Sequence, residues 1–311
     1  MTNHEAVDVA IIGGGGAGLT AAIYAARARR RTVVYEKAVT GGQIGTTDRV
    51  DNYPGFPDGV NGFELAERMR RQAEHFGAEM RYVEVNAILP QPDGTFEIET
   101  AEGTDTARAV IATGGADYNH LNVPGETEFT GKGVSYCATC DGAFFKDREV
   151  AVVGGGDAAI DEALFLTRYA SRVHVIHRRD ELRAGAILQE KAFASPTIDF
   201  TWDTTVEAIE GEAEVERLRL RNVKTGREEP MEVAAVFIFI GQTPNSHLLR
   251  GLVDMDEGGH AIVDLEMRSS RPGLFVAGDL RSLAARQLIS AAGDGATAAI
   301  TAERYLNHLG G

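Results

Sequence analysis

Residues 9–36 read VAIIGGGGAGLTAAIYAARARRRTVVYE, and residues 150–177, displaced by 141 positions, read VAVVGGGDAAIDEALFLTRYASRVHVIH with no gap between the two copies. The glycine triplets coincide, as do Ala10 with Ala151, Ala22 with Ala163, Arg31 with Arg172 and Val34 with Val175. Each copy runs apolar strand, Gly-rich turn, Ala-rich helix, apolar strand, which is the order of a βαβ unit. Each also has the spacing of a dinucleotide turn, with Gly13, Gly15 and Gly18 in the first copy and Gly154, Gly156 and Ala159 in the second. The first glycine of such a turn makes the bend and the second lets the backbone reach a diphosphate. The third, or an alanine, lets helix and sheet pack closely. The diphosphate then meets amide groups at a helix N-terminus. One such pattern also occurs in ordinary strand turns; two in matching context predict an α/β fold with two dinucleotide-binding domains.

The end of the second strand says what each copy holds. Glu36, 18 residues after Gly18, is placed to accept hydrogen bonds from an unphosphorylated ribose. The same offset from Ala159 lands on His177, followed by Arg178, Arg179 and Arg183. Guanidinium groups there offer a 2′-phosphate charge-assisted bonds, so the second site is expected to prefer NADP over NAD. The alternative is that HRRDELR is a solvated charge run opening a helix.

A chain of 311 residues exceeds the size at which one core stops growing, so two domains are expected. The formal charge of −15 argues against nucleic acid and anionic lipid as partners. The start, MTNHEAVDV, lacks the basic and apolar segments of a secretory signal, which points to the cytoplasm. The longest apolar run, Val233–Ile240, is far shorter than the roughly 20 residues that span a bilayer and reads as a buried strand.

Cys137 and Cys140 are the chain's two cysteines, in SYCATCDGAFF, residues 135–145. A lone C-x-x-C is redox chemistry or half a metal site. On a helical turn such residues lie about 5–6 Å apart, within disulfide reach. At a helix start one thiol has a depressed pKa. His174 and His177 are the candidate remaining ligands of a zinc site, but an odd separation on a strand points them to opposite faces.

Taken together, GGGGAG, GGQ (41–43), DNYPG (51–55), ATG (112–114), CATCD, GGGDAA, HRRDELR, IGQTPN, LFVAGD and RQ before AAGDG span nearly the whole chain. In this order they resemble the low-molecular-weight thioredoxin reductases of the pyridine nucleotide disulfide oxidoreductases. The resemblance implies FAD in the first site, which the glycines alone do not distinguish from NAD, and NADPH in the second. It implies two Rossmann-like domains, with the NADPH domain, residues 118–245, inserted in an FAD domain of residues 1–117 and 246–311. By the same resemblance Gln43 and Asn52 lie near the flavin, Asp279 contacts its ribityl chain, and Arg286 with Gln287 approaches its ring. Cys140 meets the flavin, Cys137 attacks the partner, and Asp141 is the acid that serves the leaving thiolate. A homodimer, thioredoxin or a similar CxxC redoxin as partner, and rotation of the NADPH domain about GGADYN (114–119) and GQTPNS (241–246) are implied as well.

The chain departs from the pattern at residues 280–285, LRSLAA, where acidic and aromatic residues are expected and Ala285 replaces a Tyr, and at GADYNHL, which lacks a basic residue. Rival readings are an NADP reductase of ferredoxin or flavodoxin, which lacks CATC, a small-molecule dithiol oxidase, which has little use for the three arginines, and a non-enzymatic redox sensor.

Overall fold

A computed structural model describes residues 6–47 and 50–309. The first five residues of the stretch read for a secretory signal lie outside the described residues. The chain divides into two compact units, one built from the chain up to Asp117 and again from Thr243, the other from Tyr118–Gln242.

The first unit is organised by a seven-stranded sheet in the order Glu79–Arg81, Thr32–Tyr35, Val7–Ile12, Gly103–Ala112, Phe96–Thr100, Val85–Pro90, with Leu274–Val276 also pairing with Gly103–Ala112. Strands 7–12 and 32–35 are parallel, with Val9 opposite Thr32 and Ile12 opposite Tyr35. Val9 and Ile11 face the helix Gly16–Arg27, in a core completed by Ala298, Ala299, Ala302 and Leu306 of the helix Leu288–Leu309. The two helices approach closely because both are lined with small residues. A Cβ on Gly295 would lie 2.1 Å from the Ala17 carbonyl oxygen.

The second unit repeats the scheme. Its sheet runs Ile198–Thr201, Arg172–Ile176, Glu149–Val153, Ala235–Ile238, Val134–Ser135, and all of its pairings are parallel. Val150 lies opposite Val173 and Val153 opposite Ile176, the register of the first unit carried over by the 141-residue offset. The expected strand at Val233–Ile240 is narrower, Ala235–Ile238, and wholly buried. Burial on both faces is what a continuous apolar run in a parallel sheet requires. The helices Asp157–Leu166 and Ala186–Ala194 contribute to one core and the antiparallel strands Thr204–Glu210 and Arg217–Asn222 to another.

The chain crosses between units in the short strands Ala116–Tyr118 and Gln242–Pro244. In the first unit the Asn245 amide donates to the Gly115 carbonyl, and in the second the Asn119 amide donates to the Gly241 carbonyl. Among the described residues no helix is long and apolar enough to cross a membrane.

Candidate functional site

In the first unit, Gly13 makes the bend, with φ +109°, and a Cβ there would meet the Thr113 carbonyl at 2.6 Å. A Cβ on Gly18 would come within 1.9 Å of the Gly13 carbonyl, so this position is closed to any side chain. Gly15 differs: nothing lies within 4 Å of where its Cβ would be. Helix 16–27 starts there, and Gly15 is its N-cap in extended conformation. The glycine therefore leaves open space at a helix start, as a diphosphate requires. The Thr113 hydroxyl donates to the carbonyls of Ile12 and Gly13 at 3.0 and 2.8 Å and ties ATG to this turn. Glu36 accepts from the Gly14 amide at 2.7 Å and from the Ala38 amide at 3.0 Å, which fixes its carboxylate at the end of the second strand.

The other residues assigned to this site gather from distant segments. Gln43 sits on the 3-10 turn Gly42–Thr46 and donates to the Ala116 carbonyl at 2.5 Å. Asn52 donates to the Gln287 side-chain oxygen at 3.1 Å, across 235 positions of sequence. Asp279 follows the strand 274–276, and its Oδ1 is buried with no hydrogen-bond partner. Burial pushes its pKa up, opposed by the Arg286 guanidinium. Arg286 has φ +55°, a left-handed backbone uncommon for a non-glycine residue, two positions before the last helix.

In the departing segment Leu283 is 96% exposed. Arg281 there forms a two-point ion pair with Asp294, Nε to Oδ2 at 2.7 Å and Nη2 to Oδ1 at 3.1 Å. Asp294 also accepts the Gly278 amide at 3.2 Å. Sequence reading missed this pair, although the cation in LRSLAA and the acid in AAGDG were both visible.

The second turn repeats the first two glycine environments and has Ala159 at the third position. A Cβ on Gly154 would meet the Phe239 carbonyl at 2.4 Å and the Ala159 methyl at 2.7 Å, while nothing lies within 4 Å of a Cβ on Gly156. His177 is buried against Gly155, whose Cβ would lie 2.4 Å from the imidazole, and its Nε2 has no partner. Burial, then the charges of Arg183, Arg179 and Arg178, push the imidazole pKa down, so all three guanidinium groups act on one point. The arginines are exposed, and among the described residues none is in an ion pair. They lie on a loop rather than a helix start. The Arg183 amide donates to the Gly155 carbonyl at 2.7 Å, and the next helix begins at Ala186.

Cys137 and Cys140 form a disulfide. Cys137 is the N-cap of the one-turn helix Ala138–Asp141 and follows the strand Val134–Ser135. Asp141 is held by Ser135, whose hydroxyl donates to Oδ2 at 2.6 Å and accepts the Cys137 amide at 3.1 Å. Sequence reading missed Ser135, because the turn that folds it back onto Asp141 has no signature of its own.

Tyr136 donates to Glu126 at 2.7 Å, and Glu126 also accepts the amides of Leu121 and Asn122 at 2.9 and 2.7 Å. Burial pushes Glu126 up, but these bonds outweigh it and its pKa is lowered. His174 contacts Glu149 at 3.0 Å. Among the described residues no group of three or more His, Cys, Asp or Glu is arranged to hold a metal.

One unit thus carries an acid at the ribose end of its turn, and the other carries arginines there together with a dithiol-forming pair. The chain is 47% identical over 302 residues to a thioredoxin reductase of Treponema pallidum, covering 97% of this chain and 98% of that one. It is 48% identical over 307 residues to a thioredoxin reductase of Mycolicibacterium smegmatis, covering 98% of each. The crystal structure of thioredoxin reductase from Streptococcus pyogenes superposes with a TM-score of 0.93 at 43% identity, covering 97% of this chain and 98% of that one. Residues 7–299 match the family described as pyridine nucleotide-disulphide oxidoreductase. By its paired nucleotide turns, its redox disulfide and these full-length likenesses, the chain belongs to the pyridine nucleotide-disulphide oxidoreductases, among the thioredoxin reductases.

Proposed function

We propose that the chain is an NADPH-dependent, FAD-containing reductase of thioredoxin. The observation that carries this reading is the Cys137–Cys140 disulfide, set at a helix N-cap in the unit whose nucleotide turn ends in three free-standing arginines. The unit holding Gly13, Gly15, Gly18 and Glu36 is the FAD domain, and Tyr118–Gln242, with Gly154, Gly156, Ala159, His177 and the arginines, is the NADPH domain.

The residues fit these groups. Open space at Gly15 and Gly156 suits two diphosphates, and the orphaned Asp279 Oδ1 suits a hydroxyl of the ribityl chain. Asn52 and Gln287 hold each other, Gln43 is anchored to Ala116, and Arg286 stands in a constrained backbone beside them. Bound FAD supplies a two-electron relay between nicotinamide and disulfide.

The chain's own part is thiol chemistry. Once the pair is reduced, the Cys137 thiolate attacks the partner disulfide, and Cys140 closes the ring and releases the partner's second sulfur. Asp141 delivers the proton a leaving thiolate needs, and Ser135 fixes the Asp141 carboxylate for that role. The enzyme works as a cytoplasmic homodimer.

Cys137→Ser and Cys140→Ser test this reading. Each is expected to retain reduction of an artificial acceptor by NADPH and to lose reduction of oxidised thioredoxin. Thioredoxin turnover in either variant, or loss of acceptor reduction in both, overturns the assignment. Assaying other CxxC redoxins alongside separates thioredoxin from a related partner.

A further inference from the structure

The turn that carries Asp279 is gripped by a single side chain. Residues Gly278–Leu280 form a 3-10 turn after the strand Leu274–Val276. The turn is wedged between the helices Gly16–Arg27 and Leu288–Leu309: a Cβ on Gly278, whose φ is +73°, would lie 3.1 Å from the Ala17 methyl and 3.7 Å from that of Ala291. Asp294, on the last helix, reaches this turn on both sides of Asp279. Its Oδ2 accepts the Gly278 amide at 3.2 Å and Arg281 Nε at 2.7 Å, and its Oδ1 accepts Arg281 Nη2 at 3.1 Å. The Arg281 and Asp294 side chains are only 17% and 11% exposed, so salt screens the pair little. Between the two contacts, Asp279 Oδ1 is buried and has no hydrogen-bond partner.

Neither the helix nor its stability calls for this pair. Asp294 stands between Gly293 and Gly295 inside a helix, a run of weak helix formers. A buried ion pair adds little stability over apolar residues of the same size, whereas a two-point guanidinium–carboxylate contact fixes geometry. What it fixes here is the backbone on which Asp279 is mounted. A buried acceptor without a donor is unfavourable, and a hydroxyl of a bound ligand would supply the donor.

We propose that Arg281 and Asp294 are positioning residues of the flavin site: their ion pair, together with the Gly278 amide, sets the direction in which Asp279 offers its carboxylate to the hydroxyl groups of the ribityl chain. The inference rests on the FAD reading of this unit and deepens it. Burial pushes the Asp279 carboxyl up; of the charges around it, Arg286 and Arg281 oppose the shift and Asp294 adds to it, so within the pair the two effects counter each other. Arg281 lies in LRSLAA, the segment that departs from the family pattern, and Leu283 and Ala285 further along it are exposed. The pair is that segment's anchor to the last helix.

The test uses full-length, flavin-loaded protein and needs neither thioredoxin nor NADPH. FAD affinity is read from free flavin in ultrafiltrates of serial dilutions. ADP, which fills the diphosphate turn but has no ribityl chain, is titrated as the competitor and gives its own dissociation constant. Asp294→Asn keeps one acceptor oxygen and turns an amide group toward the other donor. It is expected to weaken FAD about tenfold, the loss of one well-placed hydrogen bond, and to leave ADP unchanged. In an Asp279→Ala background the same substitution is expected to change FAD affinity less than about twofold, because no carboxylate remains to be aimed.

Equal FAD affinity in wild type and Asp294→Asn overturns the inference. So does an equal loss of FAD and ADP, which would make the pair a support of the whole unit, and so does an undiminished tenfold loss on top of Asp279→Ala. If Asp294→Asn does not yield folded protein, Arg281→Met and Arg281→Lys serve instead. The lysine keeps the charge and gives up the two-point contact, so FAD affinity between wild type and Arg281→Met, with ADP unchanged, supports the proposal, and no change in either variant overturns it. A wild-type chain that holds no FAD defeats the reading of the site and the inference with it, an outcome distinct from FAD held equally by wild type and variant.

Discussion

Arg178, Arg179 and Arg183 are three exposed cations beside the buried His177, whose pKa burial and then their charges push down. A cluster of like charges without counter-ions is unfavourable in the empty protein and favourable once a dianion arrives, which is the behaviour of a 2′-phosphate site. Replacing all three with neutral residues is expected to weaken NADPH far more than NADH. Each lost charged hydrogen bond is worth about 1.5–3 kcal/mol, and NADH has no phosphate there to lose. Michaelis constants for the two nucleotides measure this, and equal losses would place the arginines elsewhere in function. These residues were legible because their distance from the glycine turn is fixed by one strand–helix–strand unit. Ser135 was not, since a serine carries no pattern until a fold brings another group against it.

At the scale of elements, the two βαβ units agree in register and in helix start, Gly16 and Asp157 being 141 positions apart. Their glycines divide by purpose. A Cβ on Gly18 would lie 1.9 Å from the Gly13 carbonyl, whereas Gly15 and Gly156 face open space with backbones any residue adopts. Gly15→Ala is therefore expected to fold normally and to bind FAD roughly ten- to a hundredfold more weakly, the equivalent of one charged amide–phosphate bond. Gly156→Ala is expected to do the same to NADPH. Gly18→Ala must displace backbone and is expected to destabilise the flavin-free protein by about 1–3 kcal/mol or more. Thermal unfolding of the flavin-free forms, set beside FAD titration, separates the two kinds of glycine. Equal destabilisation by Gly15→Ala and Gly18→Ala would mean that the open space is not a ligand's.

At the scale of the whole molecule, two units with unlike ribose ends and one disulfide imply a flavoprotein that nicotinamide reduces. The purified protein is expected to be yellow and to bleach with NADPH in the absence of oxygen. A colourless protein that FAD does not reconstitute would remove the basis for the assignment. The sequence by itself determined the duplicated α/β fold, the acid at the ribose end of one turn and the arginines at the other, and the cysteine pair. Those features are written in periods and spacings within about 30 residues of chain, where local geometry leaves few alternatives. The tertiary structure alone decided that Asn52 meets Gln287, that Thr113 closes on Gly13, that Arg281 pairs with Asp294 and that Ser135 holds Asp141. Each of these depends on strand order and helix packing, and contacts between separate elements impose no period on the chain that makes them.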